Sequence, residues 1–146
     1  MHGKFLLVLL YVLIAVCLAG CLAPFSPSHG LTGNSWRLTA YNAGGKLVAP
    51  GPESMILLEF RPDGLMGGTT GCNNYSGSYH TEGEIISFSE IGSTEKYCTV
   101  PEGVMNSEQQ YLLHIRNATR YSVAQDELTL SYYDEKKLLV FKKQGT

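Results

Sequence analysis

Gly71-Cys72-Asn73-Asn74-Tyr75-Ser76-Gly77-Ser78-Tyr79 is the stretch on which the fold turns. Gly71 and Gly77 permit positive φ or a close backbone approach. Asn73 and Asn74 tolerate the left-handed region and bond their own backbone. Tyr75 and Tyr79 are four apart, so in a strand they share a face with Gly77 between them. An aromatic–Gly–aromatic row of this kind marks sharp strand curvature or a second backbone lying close. The stretch therefore reads as a corner, with Cys72 stapled to Cys98 further along the chain.

On both sides of the corner the pattern is strand and turn. Trp36, Leu38 and Ala40 alternate, which predicts a half-buried strand over 34–41. Residues 42–52, rich in Gly and Pro, read as a loop. Residues 55–60 form a second strand, Arg61-Pro62-Asp63-Gly64 a turn, and residues 65–70 a returning strand. After the corner, His80-Thr81-Glu82-Gly83 reads as a turn, residues 84–88 as a short strand, and residues 91–94 as a further pairing segment. Three strands finish the chain, over 119–124, 128–133 and 138–142, with Asp134-Glu135-Lys136 as the last turn. The clean alternation of Leu128, Leu130 and Tyr132 marks a sheet with one wet face. This spacing points to a meander closed as a barrel or packed as a sandwich.

One helix interrupts the strands. Thr99-Val100-Pro101-Glu102 has the form of a capping box with Pro in the first turn. Val104, Met105, Glu108, Tyr111, Leu112 and Ile115 then fall on one helical face. Glu108 is the odd member, since burying it charged and unpaired is costly. It is expected to meet a backbone donor, a cation or solvent at the helix rim, a structural role favoured over that of an acid or ligand contact.

The first twenty residues stand apart. Lys4 precedes an apolar run from Phe5 to Val16, and Leu18-Ala19-Gly20-Cys21 follows. That is the order of a secretory signal. The tetrapeptide resembles the lipobox of lipoprotein signal peptides, which implies lipidation at Cys21. An uncleaved apolar anchor is the alternative. Either reading holds the domain at a membrane on the extracytoplasmic side. Residues 21–32 read as a lipidated Cys and flexible tether, with His29 solvated, and residues 33–143 as one compact domain.

Lys4 is the only charged side chain in residues 1–20. The remainder thus carries ten Lys and Arg against thirteen Asp and Glu. With a net charge of −3 and no basic patch, nucleic acid is an unsuitable partner. Nine Tyr and sixteen Gly suit short curved strands better than a helical bundle. Cys17 leaves with the signal, so Cys72 and Cys98 remain as a pair in an oxidising compartment. Two free thiols or half a metal site are the alternatives, but no Cys or His stands at zinc-motif spacing from either. Closing a loop of about 26 residues contributes about 3.5 kcal/mol on the chain-entropy model.

Gly71-Cys72-Asn73-Asn74-Tyr75 with Gly77 and Tyr79 resembles the signature of the META domain, the HslJ-like family. Ser93-Thr94, Cys98, Met105, Glu108 and the terminal strands fit the same pattern, so the resemblance spans about residues 31–143. It implies a small antiparallel β-barrel of about eight strands, lipocalin-like in outline, with one packed α-helix. Members are commonly exported or lipid-anchored and linked loosely to envelope stress. The resemblance carries no reaction, cofactor or catalytic set, so the motif residues transfer as structural.

Catalysis finds little support. A hydrolase needs a nucleophile, a base and an orienting group. His80 falls in a turn and His114 on the polar helix face, and no G-x-S-x-G occurs. Asn74-Tyr75-Ser76 and Asn117-Ala118-Thr119 are formal glycosylation sequons, of which the first sits inside the corner. The expectation is a monomeric, non-enzymatic binding module of the cell envelope, its partner an unknown envelope protein or small ligand. A lipocalin-like carrier of a small apolar ligand is the alternative. The two differ in whether Trp36, Leu58, Phe60, Tyr79, Ile86, Leu130 and Phe141 fill the barrel.

Overall fold

The computed structural model describes residues 30–134 and 136–145. The expected signal segment, Cys21, His29 and Glu135 lie outside the described residues. Nine strands and one helix follow in order: β1 (Ser35–Ala43), β2 (Lys46–Val48), β3 (Leu57–Phe60), β4 (Leu65–Thr69), β5 (Asn74–Glu82), β6 (Ile85–Ser93), α1 (Val104–Asn117), β7 (Arg120–Ala124), β8 (Glu127–Ser131) and β9 (Lys137–Lys143). Neighbouring strands run antiparallel, and β9 returns to β1 to close the sheet. The expected barrel of about eight strands is thus a nine-stranded sheet. Eight strands form the ring, and β2 flanks the far end of β1.

Alternation places one side chain in two inside the ring. Trp36, Leu38, Leu58, Phe60, Met66, Ile86, Leu128, Leu130, Leu139 and Phe141 are each at most 2% exposed and belong to one core cluster. Tyr79 lies at the margin of this cluster, half-buried, its ring edge-on to Phe60 at 4.8 Å. Tyr111, Leu112 and Ile115 enter from α1. The partners of α1 sit at Asn42, Thr70 and Asn73, where β1 and β4 end and β5 begins. Because β1 and β4 run the same way, α1 caps one end of the barrel.

Sharp bends occur where backbone freedom allows. At Gly77 a bulge shifts the β5–β6 register, and an added Cβ there would lie 2.9 Å from Ser89 O. Glu90 takes up the slack at φ 54° on the opposite strand. The ring is thinnest between β6 and β7, which share the single pair Ile85↔Arg120. There Ile86 N donates to Thr119 O (3.0 Å) and Tyr121 N to Glu84 O (2.9 Å). Further along β6, Arg116 Nη2 donates to Ile91 O at 3.3 Å.

Several local expectations are corrected. Residues 42–52 are not all loop: Gly44 and Gly45, both at positive φ, make a two-residue turn that joins β1 to β2. β3 starts at Leu57 rather than Met55, and Met55 is 51% exposed. His80 lies in β5, since the turn falls after Glu82 with Gly83 at φ 61°. Residues 85–93 form one strand rather than two segments. Tyr132 follows β8 and is exposed. The capping box at Thr99–Glu102 is not made, because Gly103 at φ 79° ends the approach and the helix begins at Val104 without a side-chain cap. The packed fold also begins before residue 33. Leu31 is fully buried, accepts a 3.0 Å bond from Trp36 Nε1, and precedes a bridge from Thr32 to Phe60.

Candidate functional site

The corner, the segment before α1 and the helix itself meet in one polar cluster. Cys72 and Cys98 are disulfide-bonded, as expected of the cysteine pair left in the domain. Beside them Asn73 is 1% exposed. Its Nδ2 donates to Glu108 Oε1 (2.9 Å) and Oε2 (3.0 Å) and to Lys96 O (3.1 Å). Its Oδ1 accepts from Thr94 Oγ1 and from Lys96 N, both at 2.7 Å. Asn73 N lies 3.2 Å from Glu108 Oε2, and the Thr70 hydroxyl also donates to that carboxylate. Asn73 thus does not turn back on its own backbone, and neither it nor Asn74 takes a positive φ. The left-handed residue is Gly71, at φ 94°, where a Cβ would lie 3.3 Å from Val104 Cγ2.

Glu108 is therefore no rim residue: it is 7% exposed. The cost of burying a carboxylate is met by backbone, amide and hydroxyl donors in place of a cation. Periodicity exposed the anomaly at Glu108 but gave no partner. The signal that would have found one is the pair of donors at Thr70 and Asn73. Met105, expected on the buried face, is half-exposed, with its Sδ 3.5 Å from Cys98 N, and Ser107 takes the buried place.

A second buried pair links α1 to the sheet. Tyr75 OH donates to Leu57 O at 2.9 Å and pairs with Tyr111 OH, the rings edge-on at 5.4 Å. Gly68 makes room for it, since a Cβ there would fall 2.0 Å from Leu57 O. Burial drives the Tyr75 phenol well above its ordinary value, and burial together with Tyr75 does the same for Tyr111. Each hydroxyl has a partner, so the pair is a tie between elements.

The remaining candidates scatter. Asn74 is exposed; its N–H lies 3.2 Å from Thr94 Oγ1. Tyr79 donates to Arg61 O (2.8 Å) at the opposite end of the barrel. His80 is exposed on β5, far along the strand from the cluster. His114, on the polar helix face, is half-buried against β1: its Nε2 lies 2.6 Å from Asn42 O, which can only accept, so the proton sits on Nε2. Among the described residues no three His, Cys, Asp or Glu converge as a metal site. Open grooves lie on the surface, one of about 430 Å³ beside Asn74, Ser76 and Gly92, and one of about 340 Å³ beside Arg37 and Lys142.

Comparison with known proteins agrees with this geometry. The chain is similar to a protein from Burkholderia xenovorans solved by NMR, with 28% identity and a TM-score of 0.65 over 88% of this chain and 94% of that one. It shares its fold with a DUF4847 family protein from Bacteroides vulgatus, at 14% identity and a TM-score of 0.57, over 80% of this chain and 98% of that one. A further NMR structure matches at 18% identity and a TM-score of 0.58, over 78% of this chain and 92% of that one. No curated protein matches the chain. The META domain profile matches residues 29–145, most of the chain, so the chain belongs to the META domain family.

Proposed function

We propose that the protein is a membrane-held, extracytoplasmic interaction module without enzymatic activity, serving the stress tolerance of the cell envelope. The observation that carries this reading is the barrel interior. Trp36, Tyr111 and Phe141 are fully buried there with Leu58, Leu130 and Leu139, which leaves the carrier reading little space to use. Glu108, the one buried carboxylate among the described residues, is engaged by Asn73 and Thr70, an arrangement suited to holding a helix. Work then falls to the outer surface. Exposed Tyr97, Val100 and Tyr133 lie on connections at the α1 end, opposite the end where the chain enters at Gly30. A module tethered through Cys21 presents these side chains away from the lipid.

Photo-crosslinking residues placed at Tyr97, Tyr133 and, at the other end, Leu65 test the proposal in intact cells. Discrete protein adducts from Tyr97 and Tyr133, absent from Leu65, are expected. Equal or no adducts from all three, with a small apolar molecule retained in native mass spectrometry, would replace the module by a carrier.

A further inference from the structure

In β1 the inward turn of Trp36 and Leu38 sends Arg37 outward, and in β9 the burial of Phe141 does the same for Lys142. The register then sets Arg37 directly opposite Lys142. Like charges in this position repel. Lys142 Nζ has Glu127 Oε2 at 3.4 Å, a largely solvated pair. Among the described residues, Arg37 has no carboxylate or hydrogen-bonding partner, although it is half-buried.

Both cations line the groove of about 340 Å³ between the outer face of β1 and the loop around Gly51. Two further polar groups stand there without partners. Ser54, on the groove wall, is 2% exposed, and its Oγ has no hydrogen bond among the described residues. Gln144 is held by its backbone, N to Ser35 O at 2.8 Å, and its side-chain amide has no hydrogen bond among the described residues. The loop itself is pinned by Ser54 N to Gly51 O, 2.8 Å. A half-buried guanidinium, an opposed ammonium and the Gln144 amide on one groove form a set suited to a multivalent anion.

We propose that this groove binds a phosphate-class oxyanion, presented either by a lipid headgroup or by a free phosphorylated small molecule. The Arg37 fork matches two phosphate oxygens, and Lys142 adds a point charge. A bound anion offsets the repulsion between Arg37 and Lys142. The groove lies near the start of β1 and the end of β9, the end where the chain enters. The inference goes beyond the module reading and stands without it.

The test uses the full chain, isotope-labelled, in a non-ionic detergent. Inorganic phosphate is titrated at constant ionic strength while the Arg37 Nε–H and Gln144 amide signals are followed. In parallel, the same signals are followed with the chain in bicelles of phosphatidylcholine alone or mixed with phosphatidylglycerol. Saturable shifts, weakened about tenfold in Arg37→Gln, are expected, with an intermediate loss in Arg37→Lys and in Lys142→Gln. Unchanged Trp36 indole signals verify the fold of each variant. A phosphate response identifies the free source; a preference for phosphatidylglycerol that Arg37→Gln removes identifies the headgroup. Either supports the site. No response to either probe, responses indifferent to Arg37→Gln, or an equal response to acetate would overturn it.

Discussion

At Asn73 a single carboxamide joins three segments: its own corner, the 94–96 stretch and α1. Removing it leaves the buried Glu108 carboxylate short of a donor and Lys96 N short of an acceptor, so Asn73→Ala is expected to lose about 3 kcal/mol. Asn74→Ala, on an exposed side chain, should stay within about 0.5 kcal/mol. Urea denaturation of the two variants checks the contrast, and equal losses would remove Asn73 from its central place. Residue types alone predicted a corner here but assigned Asn73 and Asn74 the same local role. Partners 21 and 35 residues away divide them, and no local pattern records such distances.

The Tyr75–Tyr111 pair carries a pH consequence. Burial raises both phenols above the ordinary value of 10.0, so above that pH the folded protein holds protons that the unfolded chain has released. Their contribution is whole below about pH 10 and declines as pH rises further. A spectroscopic titration of tyrosinate should show these two rings ionising only as the barrel unfolds. Smooth titration of every Tyr with the fold intact would contradict the burial.

Among the elements, α1 shows what periodicity reads and what it misses. Its apolar face was legible from Val104, Tyr111, Leu112 and Ile115, all buried in the fold. Its start was not, because the capping pattern at Thr99 is overridden by Gly103 at φ 79°. Thr99→Ala should therefore change stability by less than about 0.5 kcal/mol, where loss of a working cap costs about 1 kcal/mol. A drop of the larger size in thermal melts would restore the box. The disulfide acts on the same element by holding its approach to the corner. Cys72→Ser with Cys98→Ser is expected to lower stability by about 3 kcal/mol while leaving the far-ultraviolet circular dichroism unchanged, since the Asn73 bonds hold the same segments. Loss of the β signal would assign the staple a larger role.

For the whole molecule, alternation in β1, β8 and β9 foresaw most of the lining but left barrel and sandwich open, and the family resemblance implied the barrel. The side hairpin β2 escaped because all three of its residues are exposed and carry no alternation. The burial of Leu31 escaped because it follows a tether-like run of Pro, Ser and Gly. The groove at Arg37 and Lys142 was hidden for a related reason: cross-strand register, which opposes residues 105 positions apart, is a property of the closed ring.

The proposed anchoring of this barrel outside the cytoplasm at its N-terminal end is tested most directly by the mass of the intact protein purified from membranes. It predicts a chain beginning at Cys21 with an acyl addition, and two hydrogens fewer for the Cys72–Cys98 bond. A chain beginning at Met1 with two alkylatable thiols at those positions would contradict it.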